Sequence, residues 1–280
     1  MSHHSWDYDG PTPMWVYEQE AERLDLYEDV WEERARPQSG PQGELDVAAL
    51  PGQHMWAVVP IITAMDVTVY PHYPRSKPTG AKVGHNGDKV LRDGAVRASK
   101  RASAYCVAND LNHMLTLTYR GTAPSIEQVL RDSGNLRRSL ARHLFDDSAF
   151  PWLRVLEWGT EHHRPHAHWM LGGQAAHLGA DLWKHGDAHV EAIPDLAALR
   201  RVVEYLAKEF DKADRPKTRR YDPAPGFAPE VGPVEYFDTR EEAITYAEIL
   251  MGGIPPDEWL EPREWRGPLP VQMRWNQREY

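Results

Sequence analysis

The sequence predicts an α+β fold in which a central, mainly antiparallel β-sheet is flanked by helices. From about residue 102 onward, the spacing of apolar residues predicts two strands, a helix, three strands and a second helix. This order lacks the regular strand–helix alternation of a parallel sheet or barrel. The chain has 280 residues, 41% of them apolar, which is enough to build one large domain or two modest ones.

For the first hundred residues, the sequence predicts less regular structure. Residues 1–50 carry twelve acidic and three basic side chains, and predict an acidic head segment that is partly helical, over about 15–36, or disordered. Residues 51–102 predict accessory strands and a basic linker. A proline within the run VVPIITAMDVTVY favours one or two edge strands there. The Gly-, Lys- and Arg-rich stretch 76–102 indicates a flexible connection.

Residues 103–213 predict the most regular part of the chain. Strands are expected at SAYCVAND (103–110) and HMLTLTYRG (113–121), followed by a helix over 124–145. Further strands are expected at 152–159, 165–171 and 189–193, and Asp195 is a good N-cap for the next helix. Residues 214–280 form a C-terminal accessory segment, with one more helix at TREEAITYAEILM before an irregular tail.

Two histidines one residue apart, His166 and His168, precede an apolar run. On a β-strand they point to the same face, and they are either a hydrogen-bonded pair or part of a metal site. Glu157 ends the preceding strand, and a hairpin would bring its carboxylate near both rings. Two imidazoles and a carboxylate, with no thiolate among the candidates, favour Mg²⁺ or Mn²⁺ in a site with open positions.

The helix after Asp195 has one apolar stripe and one polar face. The stripe contains Leu196, Leu199, Val203, Leu206 and Phe210, and the opposite face contains Arg201, Tyr205, Lys208 and Lys212. This face is either a solvated surface or a functional one, since neighbouring cations favour the phenolate form of Tyr205. With the metal site beside it, Tyr205 could attack a phosphodiester as a nucleophile, while Lys208 offsets the phosphate charge.

Charge is distributed unevenly along the chain. The net charge of −10 argues against a protein that coats nucleic acid indiscriminately. Residues 200–220 nevertheless carry eight basic against four acidic side chains, which is compatible with a phosphate-bearing partner. The DNA-binding residues predicted from this distribution are Arg137 and Arg138 on the 124–145 helix and Arg201 and Lys212 on the later one. A solvated helix face is the alternative for Arg137 and Arg138.

The single cysteine, Cys106, excludes an internal disulfide and fits a reducing compartment. The chain has no apolar run of membrane-spanning length, and its N-terminus does not resemble a signal peptide. We therefore expect a soluble, cytoplasmic protein with no membrane partner.

Three ordered motifs resemble the HUH endonuclease superfamily, in particular the rolling-circle replication initiators of plasmids and single-stranded DNA phages. MLTLTYR (114–120) is similar to the first motif of the family. RPHAHWML (164–171) matches the second, His-x-His, and LEWG (156–159) resembles the strand that supplies a glutamate ligand. EYLAK (204–208) matches the third, Tyr-x-x-Lys. The resemblance covers residues 103–213, which would be the catalytic domain on a ferredoxin-like palm.

The resemblance implies a divalent ion held by His166, His168 and Glu157, and a metal-dependent endonuclease and strand transferase. Tyr205 would cut single-stranded or origin hairpin DNA, leaving a 5′-phosphotyrosine and a free 3′-OH, and reversal would rejoin the strand. The usually bulky middle residue of His-x-His is Ala167 here. Because positions 209 and 210 are Glu and Phe, a second cleavage would need a second subunit, reuse of Tyr205, or another tyrosine such as Tyr221.

The chain contains no P-loop motif, so unwinding and extension are expected from a host helicase and polymerase. Alternatives within the superfamily are a transposase or a relaxase. Transposases usually have Gln or His in the third motif, and relaxases have a three-histidine site and an N-terminal tyrosine. Other rivals are a His-x-His amidohydrolase, which would need repeated β/α units, and a non-catalytic DNA-binding protein on the same fold.

Overall fold

The structure, a computed structural model, describes residues 55–72, 87–121, 124–158, 165–207, 221–261 and 269–276. Within these ranges the chain forms five helices and two five-stranded antiparallel sheets, which confirms the predicted α+β class. The acidic head with its predicted helix at 15–36, the predicted turn at 161–164, and Lys208, Phe210 and Lys212 lie outside the described residues. In the described part of the chain, no helix is long and apolar enough to cross a membrane.

The elements are numbered in chain order. The strands are β1 (Met55–Ile61), β2 (Asp66–His72), β3 (His113–Leu117), β4 (Leu153–Trp158), β5 (Pro165–Leu171), β6 (Ala188–Ala192), β7 (Asp222–Pro223), β8 (Glu235–Phe237), β9 (Glu258–Leu260) and β10 (Val271–Arg274). The helices are α1 (Gly87–Ala108), α2 (Ile126–Leu144), α3 (Gly173–Leu182), α4 (Leu196–Leu206) and α5 (Arg240–Leu250).

One sheet, here called the site sheet, contains the strands that carry the sequence motifs. Its order is β6-β3-β5-β4-β7, and all its neighbours are antiparallel. The histidine strand β5 is therefore central, between the first-motif strand β3 and the glutamate strand β4. The predicted strands at 113–121, 152–159, 165–171 and 189–193 are all confirmed.

Helices cover both faces of the site sheet, and alternation along each strand decides which residues meet which helices. On one face, buried residues of α1 and α4 join Val155 and Met170 in a hydrophobic cluster. On the other face, α2 and α3 pack against Leu117 and Trp169. The site sheet is thus the middle layer of three.

The second sheet, here called the companion sheet, is built from residues before and after the motif region. Its order is β8-β1-β2-β10-β9, and α5 packs against it. The prediction of edge strands over 51–75 is wrong, because β1 and β2 are interior strands. Their prolines are tolerated because β8 pairs only with 56–58 and β10 only with 66–69. Pro60 and Pro71 lie beyond these doubly paired stretches.

Helix α1 replaces a predicted strand and part of a predicted linker. The sequence predicts an extended stretch at 103–110 and a flexible connection over 76–102, but α1 runs from Gly87 to Ala108, across the expected domain boundary at 102/103. Its buried residues Ala98, Ala102, Tyr105 and Cys106 follow helical spacing. A short apolar run such as AYCVA does not distinguish a strand from a buried helix.

Capping side chains set the starts of three predicted helices. Ser125, Asp195 and Thr239 accept hydrogen bonds from backbone N–H groups in the first turns of α2, α4 and α5. Thr239 and Glu242 form a reciprocal capping box. Helix α3 was not predicted, since its GQAAHLGADL sequence is built largely of small residues with little periodic contrast.

Candidate active site

Glu157 and His168 are in direct contact on the site sheet. The distance between Glu157 Oε2 and His168 Nε2 is 2.9 Å. The β4–β5 register places Glu157 opposite His166 and Val155 opposite His168, so these side chains share one face. Both members of the contact are largely shielded, with side chains 20% and 11% exposed. The hairpin thus brings the predicted carboxylate to the histidines.

The two histidines have different surroundings. His168 is buried, and its Nδ1 lies 3.1 Å from Thr116 Oγ1 on β3. His166 is half-buried. Its pKa is lowered by burial and by the neighbouring His168, while Glu157 acts in the opposite direction. Lowering the pKa favours the neutral imidazole, which is the form that can bind a metal ion.

Among the described residues, no group of three His, Cys, Asp or Glu side chains is gathered closely enough to hold a metal ion. The donor chemistry of Glu157, His166 and His168 does fit one, because two imidazole rings and a carboxylate share one sheet face and influence one another electrostatically. Glu157 and His168 bond to each other in this arrangement.

Tyr205 lies on α4, which covers the same face of the site sheet as the histidines. Leu199, Val203 and Leu206 of α4 are buried in the cluster that contains Val155 and Met170. Tyr205 projects from the outward side of the helix and is 62% exposed. A phenol in this position is accessible to a macromolecular substrate. Arg201, also exposed, precedes it by one helical turn.

Arg200 of α4 is buried, only 1% exposed, on the side of the helix that meets the companion sheet. Its Nη2 donates to the carbonyls of Ala64 and Met65 at 2.9 and 3.1 Å, and its Nε donates to Asn276 Oδ1 at 3.2 Å. Burial lowers the pKa of Arg200 to about 10, so the guanidinium stays charged at neutral pH. Arg200 therefore joins the helix of Tyr205 to the companion sheet.

A buried ionic network surrounds this junction. Asp66 Oδ2 lies 3.9 Å from Arg200 Nη1 and 3.5 Å from Arg274 Nε. The same oxygen accepts a hydrogen bond from Gln272 Nε2. Burial raises the pKa of Asp66, and the two guanidinium groups oppose that change. Lys100 of α1 lies close enough to Asp66 and Arg274 for their charges to act on it. Burial lowers its pKa, and Asp66 opposes the shift. The network connects α1, α4 and the companion sheet.

The predicted DNA-binding residues do not all lie together. Arg137 and Arg138 are on α2, whose buried side packs against the opposite face of the site sheet from Tyr205. Arg138 donates to Asn135 Oδ1 at 2.6 Å on its own helix. Arg201 shares α4 with Tyr205. The structure therefore brings Arg201, but not Arg137 and Arg138, to the side of the tyrosine.

Two residues at the site were not singled out from the sequence, although each has a signal there. Arg200 follows Leu196 by four residues and precedes Val203 by three, so it lies on the apolar stripe of α4. The periodicity therefore identifies it as a charged residue on the buried face. Thr116 is the third residue of the first motif, MLTLTYR. Its partner, however, follows only from the register of β3 against β5.

A comparison with models of known protein families gives a match in the region of the chain that contains the three motifs. The model of a family described as Replication-associated protein ORF2 matches residues 112–214. That stretch includes β3 to β6 with α2 and α3, and it also includes α4, so all three motifs fall inside it. Neither the curated proteins nor the solved structures gave a match.

Proposed function

Because residues 112–214 belong to the Replication-associated protein ORF2 family, we propose that this protein initiates rolling-circle replication by nicking and rejoining single-stranded DNA. The main structural support is that α4, which carries Tyr205, covers the sheet face on which Glu157 and His168 meet at 2.9 Å. The proposed substrate is single-stranded or hairpin DNA at an origin. A host helicase and polymerase are the proposed partners.

Glu157, His166 and His168 are the proposed ligands of a Mg²⁺ or Mn²⁺ ion. When bound, such an ion would polarise a phosphate oxygen and offset the charge that develops during displacement. The protein side chains contribute orientation. The β4–β5 ladder holds the Glu157 carboxylate opposite His166, and shielding from water strengthens electrostatic interactions within the site.

The proposed chemistry is an in-line displacement at phosphorus. The Tyr205 oxygen forms a bond to phosphorus and loses its phenolic proton to solvent or a nearby base. The bond from phosphorus to the 3′ oxygen breaks, and that oxygen takes up a proton to become the free 3′-OH. The 5′ side stays attached as a phosphotyrosine, and the reverse reaction rejoins the strand.

Positive side chains along α4 are proposed to guide the DNA. Arg201 is exposed one turn before Tyr205, and a strand that contacts both would place a phosphate near the phenol. Lys208 and Lys212 follow in the sequence and are proposed to neutralise phosphate charge. Arg137 and Arg138 would contact DNA only where it continues around the edge of the sheet to the face covered by α2.

The deciding experiment is to trap the covalent adduct. Full-length protein is incubated with Mn²⁺ and single-stranded origin DNA, and the products are analysed by denaturing gel and mass spectrometry. We expect an adduct between Tyr205 and the 5′ phosphate of the downstream fragment. Tyr205→Phe should abolish it, whereas Tyr236→Phe, a change at an exposed tyrosine of the companion sheet, should leave it intact.

Other outcomes select among the alternatives. An adduct that survives in Tyr205→Phe and is lost in Tyr221→Phe would reassign the nucleophile. Specific DNA binding with neither cleavage nor adduct, over a range of divalent ions, would indicate a non-catalytic DNA-binding protein. Cleavage and joining restricted to transposon ends or to a conjugative transfer origin would indicate a transposase or a relaxase.

A further inference from the structure

Both ring nitrogens of His168 have partners. Nε2 lies 2.9 Å from Glu157 Oε2, and Nδ1 lies 3.1 Å from Thr116 Oγ1. The contact with Thr116 follows from the sheet, since Thr116 is directly opposite His168 in the β3–β5 register. His168 is only 9% exposed, so water has little access to replace either partner.

The hydroxyl of Thr116 is suited to two states of the ring. In the neutral tautomer whose Nε2–H donates to Glu157, Nδ1 has a lone pair, and the hydroxyl can donate to it. An ion bound by Nε2 needs the lone pair there, which leaves the proton on Nδ1, and the hydroxyl oxygen can then accept it. Few side chains both donate and accept through one atom, and a rotating hydroxyl is one that does.

We propose that Thr116 is a positioning residue for the metal site. Its hydroxyl holds the His168 ring in place and provides Nδ1 with a partner in both tautomers. The inference rests on the proposed function, because it requires the ion to bind at His168. It assigns Thr116, a polar residue of the first motif, a task that the motif resemblance did not assign.

The physical alternative is that Thr116 is an ordinary strand residue, and a matched set of variants separates the two. Thr116→Val keeps the branched shape but leaves buried Nδ1 without its partner. Thr116→Ser keeps the hydroxyl. Thr118→Val is the control, because Thr118 Oγ1 bonds to the backbone of Asp187, not to His168, and lies on the same stretch of chain.

The experiment measures Mn²⁺ binding by the full-length protein without DNA, using electron paramagnetic resonance of the free ion. Loss of an outer partner of a histidine ligand typically weakens metal binding by about 10–100-fold, and we expect this for Thr116→Val. Thr116→Ser and Thr118→Val should bind close to the wild type. Nitrogen NMR of the His168 ring with Mg²⁺ should show the Nδ1-protonated tautomer in the wild type.

Each other outcome overturns the inference in a recognisable way. If the wild type binds Mn²⁺ and Thr116→Val binds it equally well, the positioning role is wrong while the metal site stands. If Thr116→Ser or Thr118→Val is weakened as much as Thr116→Val, the effect does not come from the hydroxyl on His168. If the wild type binds no Mn²⁺, the metal site of the proposed function fails together with the inference.

Discussion

Arg274 on β10 donates a hydrogen bond to Glu204 at 3.0 Å, one residue before Tyr205 on α4. The guanidinium is buried, with its side chain 3% exposed, while Glu204 is about half exposed. With Arg200 one turn earlier, α4 is thus tied to the companion sheet at two successive turns. The companion sheet, built from segments outside the motifs, therefore holds the helix that carries the proposed nucleophile.

The first prediction concerns the stability of this junction. Arg200→Met removes one of the cations near buried Asp66 and the side-chain donor to the carbonyls of Ala64 and Met65. Breaking a buried ion pair from one side typically costs about 3–5 kcal/mol, and we expect a loss of that size in the free energy of unfolding. Urea denaturation followed by tryptophan fluorescence measures it.

Arg201→Met is the matched control for Arg200→Met. The two arginines are adjacent on α4, but Arg201 is exposed, and surface substitutions usually change stability by no more than about 0.5 kcal/mol. Equal midpoints and slopes for the two variants would contradict a supporting role for the buried network.

The sequence predicted the site strands better than the layer that supports them. Glu157, His166 and His168 lie on one face of the site sheet as expected, because strand alternation and a hairpin are local rules that spacing reveals. The companion sheet joins β2 to β10, about two hundred residues apart in the chain. No local pattern specifies such a pairing.

Charged residues show the same division between local and distant information. The wheel of α4 correctly separated exposed Arg201 and Tyr205 from buried Leu199 and Val203. Arg200 lies on the buried stripe of the same helix, and its partners Ala64, Met65 and Asn276 come from distant parts of the chain that no local pattern identifies. Likewise, Arg137 and Arg138 were grouped with Arg201 by charge, whereas sheet packing places them on opposite faces.

A second prediction concerns the metal-dependent step. His168→Ala and Glu157→Gln each remove a proposed ligand, so both should lower Mn²⁺-dependent cleavage of single-stranded DNA. Outer partners of ligands alone are worth about 10–100-fold, and we expect a direct ligand to cost about 100-fold or more. DNA affinity, measured by fluorescence anisotropy without metal, should change little, because the basic side chains proposed to contact DNA phosphates do not include Glu157 or His168.

His143→Ala is the control for this pair, since His143 is exposed near the end of α2 and bonds to the carbonyl of Ser139. It should cleave like the wild type. Unchanged cleavage by His168→Ala would exclude the assigned metal site, and a parallel loss in His143→Ala would indicate a non-specific effect.

A third prediction concerns the path of the DNA. Binding to single strands weakens with salt by about 0.7 in the logarithmic slope for each phosphate contact. Arg201→Ala should therefore reduce the slope by about that amount for any oligonucleotide that reaches Tyr205. The double variant Arg137→Ala/Arg138→Ala should have no effect with short oligonucleotides, and should reduce the slope only with longer origin hairpin DNA.

The length dependence follows from the three-layer arrangement, because a short strand on the α4 face cannot also contact α2. Anisotropy titrations at several salt concentrations with the two DNA lengths measure it. A flat salt response in the wild type would argue against phosphate contacts altogether. An equal effect of the double variant at both lengths would contradict the proposed path around the sheet.

The fourth prediction concerns the loop between α3 and β6, which contacts the segment that follows β3. Thr118 N–H donates to the Asp187 carbonyl and Arg120 N–H to the His185 carbonyl, both at 2.9 Å. Between them, a Cβ on Gly186 would lie 2.2 Å from the Thr118 carbonyl oxygen, a backbone atom that cannot turn aside. Gly186→Ala should therefore break this contact and destabilise the fold by about 1–3 kcal/mol, the usual cost of overpacking.

In Gly134→Ala, by contrast, the new Cβ has only an ordinary contact with Arg138 at 4.0 Å within α2, and helix propensity predicts stabilisation by up to about 1 kcal/mol. Urea denaturation of the two variants tests this difference in sign, and stabilisation by Gly186→Ala would mean that the loop does not approach Thr118 so closely.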